Sequence, residues 1–405
     1  MATTGASSLL PKSSVVLAAL ILLLSATQLG FHWWPDSALV YGVRVDYLSP
    51  TLYFLDLLTI LYLCILFRKF GFKYCLGFSA SNFGFLLPIL LTNLLFSINP
   101  LATLSWSLHL LLYATFVISL PREFLAVTPK LLLIGMGAQV ALAIAQVVRG
   151  ESLQGLWYYL GERFVTVGSP YVATGELFGE LLLRAYGTFS HPNVLAGWLV
   201  VCWLIVLSLT HTRAPQIVAT VLAAIGIFLT QSRAAALSLF GIGIPFYFLS
   251  PKFRLPYFLV VTLICAALFI PLSRDLDLSL RERLSLQRVS FLITRAHPFF
   301  GTGAEASVTS YPSTTPSLRL LQPDHNSATL LLSWLGLFGL LALYPVAKVN
   351  QQTGKSLIPL IPLFLLDHYL LTSPQGLCMV LLYLRVHLSS YVQPNREQHR
   401  GSARR

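Results

Sequence analysis

Charge is the scarcest property of this 405-residue sequence. Asp, Glu, Lys and Arg together make up 10% of its residues, whereas 56% are hydrophobic. Soluble globular chains carry charge at about 25% of positions, so an ordinary water-facing surface is excluded. The hydrophobic residues run continuously for about twenty positions at a time, the length that a helix needs to cross a bilayer core. We therefore predict an all-α, polytopic membrane protein without a soluble domain.

Signals for metal, nucleotide or disulfide chemistry are also missing. The five cysteines stand singly and form no CxxC pair, which disfavours a zinc site or a disulfide framework. No Gly-rich nucleotide loop, HExxH motif or acidic cluster for Mg²⁺ or Zn²⁺ is present. No internal repeat or low-complexity linker is evident, which disfavours a transporter built from duplicated halves. We expect one integral membrane domain over residues 1–405, with no cofactor and no metal.

The apolar runs predict about twelve transmembrane helices. Their approximate extents are 14–33, 49–67, 80–97, 101–120, 129–148, 193–210, 214–230, 232–249, 255–271, 326–347, 356–372 and 375–390. Two long connections, about 149–192 and 272–325, separate groups of spans.

Basic residues indicate how these spans are oriented. Lys and Arg concentrate in the N-terminal segment, in alternate connections and in the C-terminal tail, while the short connections between them hold only Arg44 and Arg233. Because positive charge is retained on the cytoplasmic side, we expect both termini in the cytoplasm and both long connections on the outer side. The same distribution accounts for the net charge of +12 without a nucleic-acid partner.

Polar residues lie near the predicted outer boundary of several spans. They are Asp56, Arg184, His191, Asn193, Arg233, His325, Asn326, Asp367 and His368. Such residues are costly near hydrocarbon and are therefore functional candidates. Arginine suits phosphate because its guanidinium is permanently charged and can bond two oxygens, and histidine can accept a proton near neutral pH. Interfacial anchoring remains the alternative interpretation, and the two aspartates could instead pair with the arginines.

The second long connection carries a cationic segment. Arg274, Arg281, Arg288 and Arg295 recur every seventh residue, so a helix would place them along one stripe, with Arg283 on the opposite side. This stripe is either a phosphate clamp or a set of interfacial arginines partnered by Glu282 and Asp277.

Four segments, in order, resemble one known family. They are Arg184-Ala-Tyr-Gly-Thr-Phe-Ser-His-Pro-Asn193, Thr230-Gln-Ser-Arg233, His297-Pro-Phe-Phe-Gly-Thr-Gly303 and Asp324-His325-Asn326 followed by Gly336-Leu-Phe-Gly339. Their order and spacing over residues 155–345 are similar to those of the O-antigen ligase/polymerase-like membrane proteins.

The resemblance implies a GT-C-like, helical glycosyltransferase of the bacterial inner membrane with a periplasmic active site. Its donor would be an undecaprenyl-diphosphate-linked glycan, and its acceptor a hydroxyl of a lipid or another glycan. The partners implied are this donor, the acceptor and membrane lipids, without a metal. His325 and Arg233 would be catalytic. The residues implied in substrate binding are Arg184, Arg283, Arg288, His191, Asn193 and Asn326.

The sequence departs from the family pattern at three places and leaves alternatives open. Trp334 stands where relatives often carry a glutamate, Thr302 stands where they carry a valine, and no aromatic residue follows Gly303 around 304–306, where relatives often have one. Ligation and polymerisation are not separated by these residues. A flippase or transporter of lipid-linked cargo and a non-enzymatic scaffold are the alternatives outside the transferase class.

Overall fold

The computed structural model describes residues 11–71, 84, 86–177, 179–249, 256–257, 274–314, 317–342 and 357–390. This part of the chain is mostly helical, as predicted. Its α-helices are α1 Lys12–Leu23, α2 Phe54–Phe70, α3 Leu86–Leu95, α4 Pro100–Ser119, α5 Arg122–Arg149, α6 Pro192–Leu209, α7 Arg213–Thr230, α8 Arg233–Ala236, α9 Ile244–Phe248, α10 Arg274–Ala296, α11 Tyr311–Thr314, α12 Ser327–Leu335, α13 Ile361–Leu366, α14 Tyr369–Thr372 and α15 Pro374–Ser390.

Four of the described helices are long and apolar enough to cross a membrane. They are α4, α5, α6 and α7, and the shorter α1, α3 and the run Arg233–Phe248 are apolar as well. Local sequence explains where two of them begin. The Asn99 side chain caps α4 and Pro100 follows it, while the His191 side chain caps α6 ahead of Pro192. A capping acceptor followed by proline at the first helical position is a strong helix start.

Helix α6 is the centre of the bundle. Its membrane-length stretch is 83% buried, because α5, α7 and α15 pack around it. Trp198 and Trp203 are fully buried on this helix and anchor the largest apolar core. The helix is hydrophobic on all sides, which is the pattern of a helix with no free face.

Three predicted spans differ from the observed elements. The first helix ends at Leu23 instead of extending to residue 33, because the chain turns after this helix and enters the short strand Gly30–His32. Helix α12 ends at Leu335, because Gly336 adopts a left-handed φ of +60° that a helix cannot continue. The predicted span 356–372 is a 3-10 turn followed by α13 and α14, interrupted at Asp367 and His368. The predicted span 255–271 lies almost entirely outside the described residues.

The connections between α1 and α2 and between α5 and α6 contain short antiparallel strand pairs, which the all-α prediction did not include. Strand β1 (Gly30–His32) pairs antiparallel with β4 (Thr51–Tyr53), and β2 (Leu39–Val40) pairs with β3 (Val43–Arg44) between them. Strands β5 (Thr174–Leu177) and β6 (Glu180–Leu183) form a hairpin in the first long connection. The first two hairpins position the segment between α1 and α2 over the end of the bundle.

Helices α8 and α9 are joined by a π-helical stretch, Leu237–Gly243. A π-helical turn widens the helix, and such turns occur frequently at functional sites. Gly243 lies in this stretch against Trp203, where a Cβ atom would approach the indole to 2.6 Å. The widened helix thus packs closely on α6 while its first residue, Arg233, stays exposed.

Candidate functional site

A polar cavity of about 260 Å³ lies at the end of the bundle where α6 and α12 begin. Its wall is built from the segment between α1 and α2, the residues preceding α6 and α12, and the interruption between α13 and α14. The polar side chains around it include His32, Asp46, Tyr47, Tyr53, His109, Arg163, His191, Asn193, Glu305, His325, Asp367 and His368. Helix ends leave backbone groups unsatisfied, so side chains that cap them collect at such a place.

His325 and Asp367 form the central pair of this cavity. The Nδ1 atom of His325 lies 3.5 Å from Asp367 Oδ1, and the imidazole keeps 19% of its side-chain surface exposed while the carboxylate keeps 5%. Within the described part of the chain, His325 Nδ1 is buried without a hydrogen-bond partner. The Asp367 carboxylate therefore lies where it can accept a hydrogen bond from a protonated Nδ1, which would leave Nε2 of His325 without a proton.

Asp367 is held in place from several directions. Its Oδ1 accepts from the His368 backbone N–H at 2.9 Å, and Asn193 Nδ2 donates to its Oδ2 at 2.9 Å. Burial by itself raises the pKa of this carboxyl, but the contact with His325 and, to a lesser degree, the nearby His368 and Arg283 outweigh burial and hold the pKa below its usual value. Asp367 is consequently a carboxylate at neutral pH.

Arg184 is connected to this pair through Asn193. One guanidinium nitrogen donates to Asn193 Oδ1 at 2.8 Å, and Nε donates to the Thr230 carbonyl at the end of α7 at 2.7 Å. Burial, and to a lesser degree the charges of Arg233 and Arg283, lower the pKa of Arg184 to about 10. The guanidinium therefore remains protonated at neutral pH, and a continuous polar chain links it to His325.

Two further predicted arginines, Arg283 and Arg233, lie near this chain. Arg283 donates from a guanidinium nitrogen to the Leu366 carbonyl, which immediately precedes Asp367. Arg233 opens α8 with an exposed side chain. The electrostatic influence of both residues on Arg184 shows that the three positive charges share one neighbourhood. Such a concentration of guanidinium groups suits an anion with several oxygens, such as a diphosphate.

His191 and Asn326 serve as helix caps at the cavity. His191 Nδ1 accepts from the Asn193 backbone N–H at 3.1 Å, and burial lowers the His191 pKa to about 3. The ring is thus neutral, and Nε2 carries its proton. Asn326 Oδ1 accepts from the backbone N–H groups of Ala328 and Thr329 at 3.0 and 3.4 Å. Their contribution to substrate binding remains a prediction.

Arg288 is the predicted residue that lies apart from the others. Leu286, Ser290 and Ile293 form the buried face of α10, and Arg283 lies on that same face. Five residues further along a helix correspond to a rotation of about 140°. Arg288 therefore points to the exposed side of α10.

Comparison with known proteins finds a family match for one segment of the chain. Residues 218–344 match the sequence model of the O-antigen ligase family. This part of the chain is similar to O-antigen ligases. The family resemblance drawn from the four sequence segments is thereby confirmed. The matched range contains Arg233, Arg283, Arg288, His325 and Asn326, whereas Arg184, His191 and Asn193 precede it. No curated protein matches the chain.

The cavity contains three further residues, Asp367, His368 and Glu305, to which the family motifs assign no catalytic or binding role. Asp367 and His368 are recognisable in the sequence as two polar residues at the end of an apolar run. Their distance from His325, however, depends on how α13 and α14 pack. The His325 and His368 rings lie 5.1 Å apart. Glu305 follows the Gly301–Gly303 segment, and nothing in its spacing distinguished it from other acidic residues in loops.

His325, Asp367 and His368 could also hold a cation, since their ligand atoms lie within 4.8 Å of one another. Hydrogen bonds already occupy much of this set. Both Asp367 oxygens accept hydrogen bonds, and His368 Nδ1 lies 2.8 Å from Thr372 Oγ1. Burial lowers the His368 pKa to about 3, so that ring is neutral. The expectation that the site uses no metal remains a prediction.

An apolar groove of about 950 Å³ adjoins the polar cavity. It follows α2 and α4 and is lined mainly by aliphatic side chains, among them Ile60, Leu104 and Leu108. Thr51, Ser105 and His109 belong to the walls of both spaces. Where they meet, Asp56 accepts from Tyr113 at 2.5 Å and lies 3.1 Å from His109 Nε2. One face of the protein thus offers an apolar channel that opens towards a polar one.

Proposed function

We propose that this protein is a glycosyltransferase of the bacterial inner membrane that moves a glycan from an undecaprenyl diphosphate carrier to an acceptor hydroxyl. The observation that carries the proposal is the polar chain from His325 through Asp367 and Asn193 to Arg184. It joins a general-base candidate to the guanidinium cluster. The O-antigen ligase match supports the reaction class.

The reaction that this arrangement supports is a single displacement. The acceptor hydroxyl gives its proton to Nε2 of His325, because Nδ1 faces the Asp367 carboxylate. The acceptor oxygen forms a bond to the anomeric carbon while the bond from that carbon to the diphosphate oxygen breaks. The electron pair leaves with the diphosphate, and the anomeric configuration inverts. Asp367 stabilises the imidazolium that forms, by the same electrostatics as the carboxylate of a catalytic triad.

The arginines provide the second half of the chemistry. Negative charge grows on the departing diphosphate, and fixed positive groups that are already oriented stabilise it without reorganisation. Arg184, Arg233 and Arg283 are assigned this role, with Arg184 the most rigidly held of the three. The adjoining apolar groove is assigned to a lipid chain of the substrates. Consistent with the basic residues of the sequence, the cavity faces the periplasm and both termini lie in the cytoplasm.

The test uses the purified protein in liposomes with a labelled undecaprenyl-diphosphate oligosaccharide, with and without candidate acceptors. We expect the parent protein to consume the donor, also in the presence of EDTA, and the His325→Ala and Arg233→Ala variants to insert normally but lose transfer. Normal transfer by either variant contradicts the role given to that residue. A product ladder identifies a polymerase, and a single addition to a different acceptor identifies a ligase.

A further inference from the structure

One acidic residue of the polar cavity takes no part in the chain that links His325 to Arg184. Glu305 lies on the wall together with Tyr47, Tyr53 and His109. Its side chain keeps part of its accessible surface because it faces the cavity, although the residue lies deep within the protein. Among the residues that the structure describes, none forms a hydrogen bond or ion pair with this carboxyl group.

The backbone at Glu305 is in a conformation that side chains rarely adopt. Its φ of +60° and ψ of −9° lie in the left-handed region, which favours glycine. A strained residue of this kind persists only when its surroundings determine it fully, and such residues concentrate at functional sites.

The chain on the N-terminal side of Glu305 is fixed by hydrogen bonds from three elements. The Ala304 N–H donates to Asn93 Oδ1 of α3 at 2.9 Å, and Thr103 Oγ1 of α4 donates to the Ala304 carbonyl at 2.9 Å. Thr302 is held through its backbone N–H and its hydroxyl, which donate to the Ser333 carbonyl of α12 at 2.9 and 3.0 Å. The backbone before Glu305 therefore has little freedom to relax.

The chain on the C-terminal side is fixed in the same way. The Ala306 N–H donates to the Gly303 carbonyl at 3.1 Å, and Trp334 Nε1 donates to Ser307 Oγ at 3.2 Å. Trp334 is fully buried and supports this turn. These hydrogen bonds hold the Glu305 carboxyl group at the cavity wall, although its backbone is strained and the group is largely removed from water.

A carboxyl group that is buried without a partner destabilises the folded protein. In agreement with this, burial raises the pKa of Glu305 well above its usual value. Neither the strain nor the desolvation stabilises the fold, and the position on the cavity wall leaves the carboxyl group available to a molecule that enters the cavity.

We infer that Glu305, with Tyr47 and Tyr53 beside it, forms a subsite for a sugar ring of the substrate glycan. The inference rests on the proposed function and names the part of the substrate that this wall receives. A carboxyl group accepts hydrogen bonds from two neighbouring ring hydroxyls, and tyrosines offer both an apolar face and a polar hydroxyl. The Tyr47 ring also contacts His368, at a centroid distance of 5.6 Å, so the subsite adjoins the proposed reaction centre.

The sugar could belong to the donor or to the acceptor, because both present ring hydroxyls. Kinetics in liposomes separate the two. In the Glu305→Gly variant, which lacks the carboxyl group, we expect the KM of one substrate to rise about tenfold or more, the range for a lost hydrogen bond to a charged or buried group. A rise confined to the donor assigns the subsite to the donor sugar, and a rise confined to the acceptor assigns it to the acceptor sugar. An unchanged KM for both overturns the inference.

A binding experiment tests the subsite without relying on transfer. Saturation-transfer NMR on the full-length protein in detergent uses methyl glycosides of glucose, galactose and N-acetylglucosamine, which lack both lipid and diphosphate. We expect saturation transfer to at least one glycoside with the parent protein and the exposed control variant Glu176→Gln, and its loss with Glu305→Gly. Glycine adopts the left-handed backbone without strain, so this variant should melt no lower than the parent protein.

The outcomes distinguish this inference from the proposed function. Equal saturation transfer in the parent protein and Glu305→Gly, or none with any glycoside, overturns the subsite. Glycoside binding by a parent protein that consumes no donor upholds the subsite and contradicts the transferase. The His325→Ala variant is expected to lose transfer and to bind the glycoside as the parent does.

Discussion

At His325, one carboxylate decides which ring nitrogen is free to react. Asp367 lies beside Nδ1, so Nε2 is the ring nitrogen left to take the acceptor's proton. Asp367 touches no substrate in this scheme and is a positioning residue. Its hydrogen bonds to Asn193 and to the His368 backbone make that position rigid.

We predict that Asp367→Asn lowers kcat by about 10²-fold or more while changing KM little, because the variant loses the charge that stabilises the imidazolium but retains an acceptor for Asn193. Single-turnover and steady-state rates in liposomes measure both parameters. The control is Asp46→Asn on the same cavity wall, where the ion pair with Arg163 is 3.5 Å long and largely exposed. A parallel loss of kcat in both variants would contradict a specific role for Asp367.

Glu305 makes stability depend on pH in a predictable direction. Its pKa is raised in the folded protein, so above the usual value of 4.5 the unfolded chain loses the proton while the folded protein keeps it. The stabilisation from the neutral folded form is complete below that value and is lost as pH rises towards the raised pKa.

We therefore expect the melting temperature of the parent protein in detergent to fall, relative to that of Glu305→Gln, as pH rises from about 4.5. Intrinsic fluorescence melts of both proteins over a series of pH values provide the measurement. Asp46, His109, Arg163 and Asp367 are present on the cavity wall in both proteins, so the difference isolates Glu305. Parallel curves over the whole pH range would show that Glu305 is ionised in the folded state.

At the scale of elements, the site depends on a close contact between two helices. Gly197 of α6 lies against Tyr369, the first residue of α14, and a Cβ atom on Gly197 would lie 1.6 Å from the Tyr369 hydroxyl oxygen. Tyr369 directly follows Asp367 and His368. The absence of a side chain at Gly197 is thus what lets the interruption between α13 and α14 approach the start of α6.

We predict that Gly197→Ala destabilises the protein by about 1–3 kcal/mol, the usual cost of overpacking a core, and lowers transfer because Asp367 is displaced. Thermal melts and initial rates test both effects. Gly137→Ala in α5 is the matched control, because no atom lies within 4 Å of its added Cβ. Alanine there should stabilise the helix by roughly 0.5–1 kcal/mol. If both variants melt alike, the Gly197–Tyr369 contact does not position the site.

Elements also show where reasoning from the sequence succeeds and where it stops. Arg184, Asn193 and His325 could be placed together because capping residues and intramembrane polar residues collect at helix ends on one side of a bundle. Asp367 lay on the same predicted boundary, but its 3.5 Å approach to His325 depends on Gly197 and on the break before α14. Hydropathy reports apolar length, so it merged α13 and α14 into one span and extended α1 past Leu23 into β1.

At the scale of the whole molecule, the apolar groove and the polar cavity form one continuous surface through Thr51, Ser105 and His109. A lipid-linked substrate has the same two-part character, with an apolar chain and a polar head. The groove therefore gives the proposed donor or acceptor a place for its chain while its head lies near His325.

We predict that Leu104→Trp, which fills part of the groove, raises the KM for a long-chain lipid substrate and has a smaller effect on a short-chain analogue. Leu104 is 40% exposed and lines the groove, so the larger side chain should not disturb the core. Ile134→Trp on α5 is the control, because Ile134 is 61% exposed and lies outside the groove. Equal effects on long and short chains would remove the groove from the substrate path.

The common wall of the groove and the cavity also determines whether the relevant substrate concentration is the one in the bilayer or the one in the buffer. A molecule whose chain never leaves the bilayer meets the site by sliding in two dimensions, so its effective concentration is its mole fraction among the lipids. Adding inert lipid at a fixed amount of enzyme and substrate should then slow the reaction by surface dilution, whereas adding buffer should not. The side chains that connect the two spaces thus make the composition of the surrounding bilayer a kinetic variable of the protein.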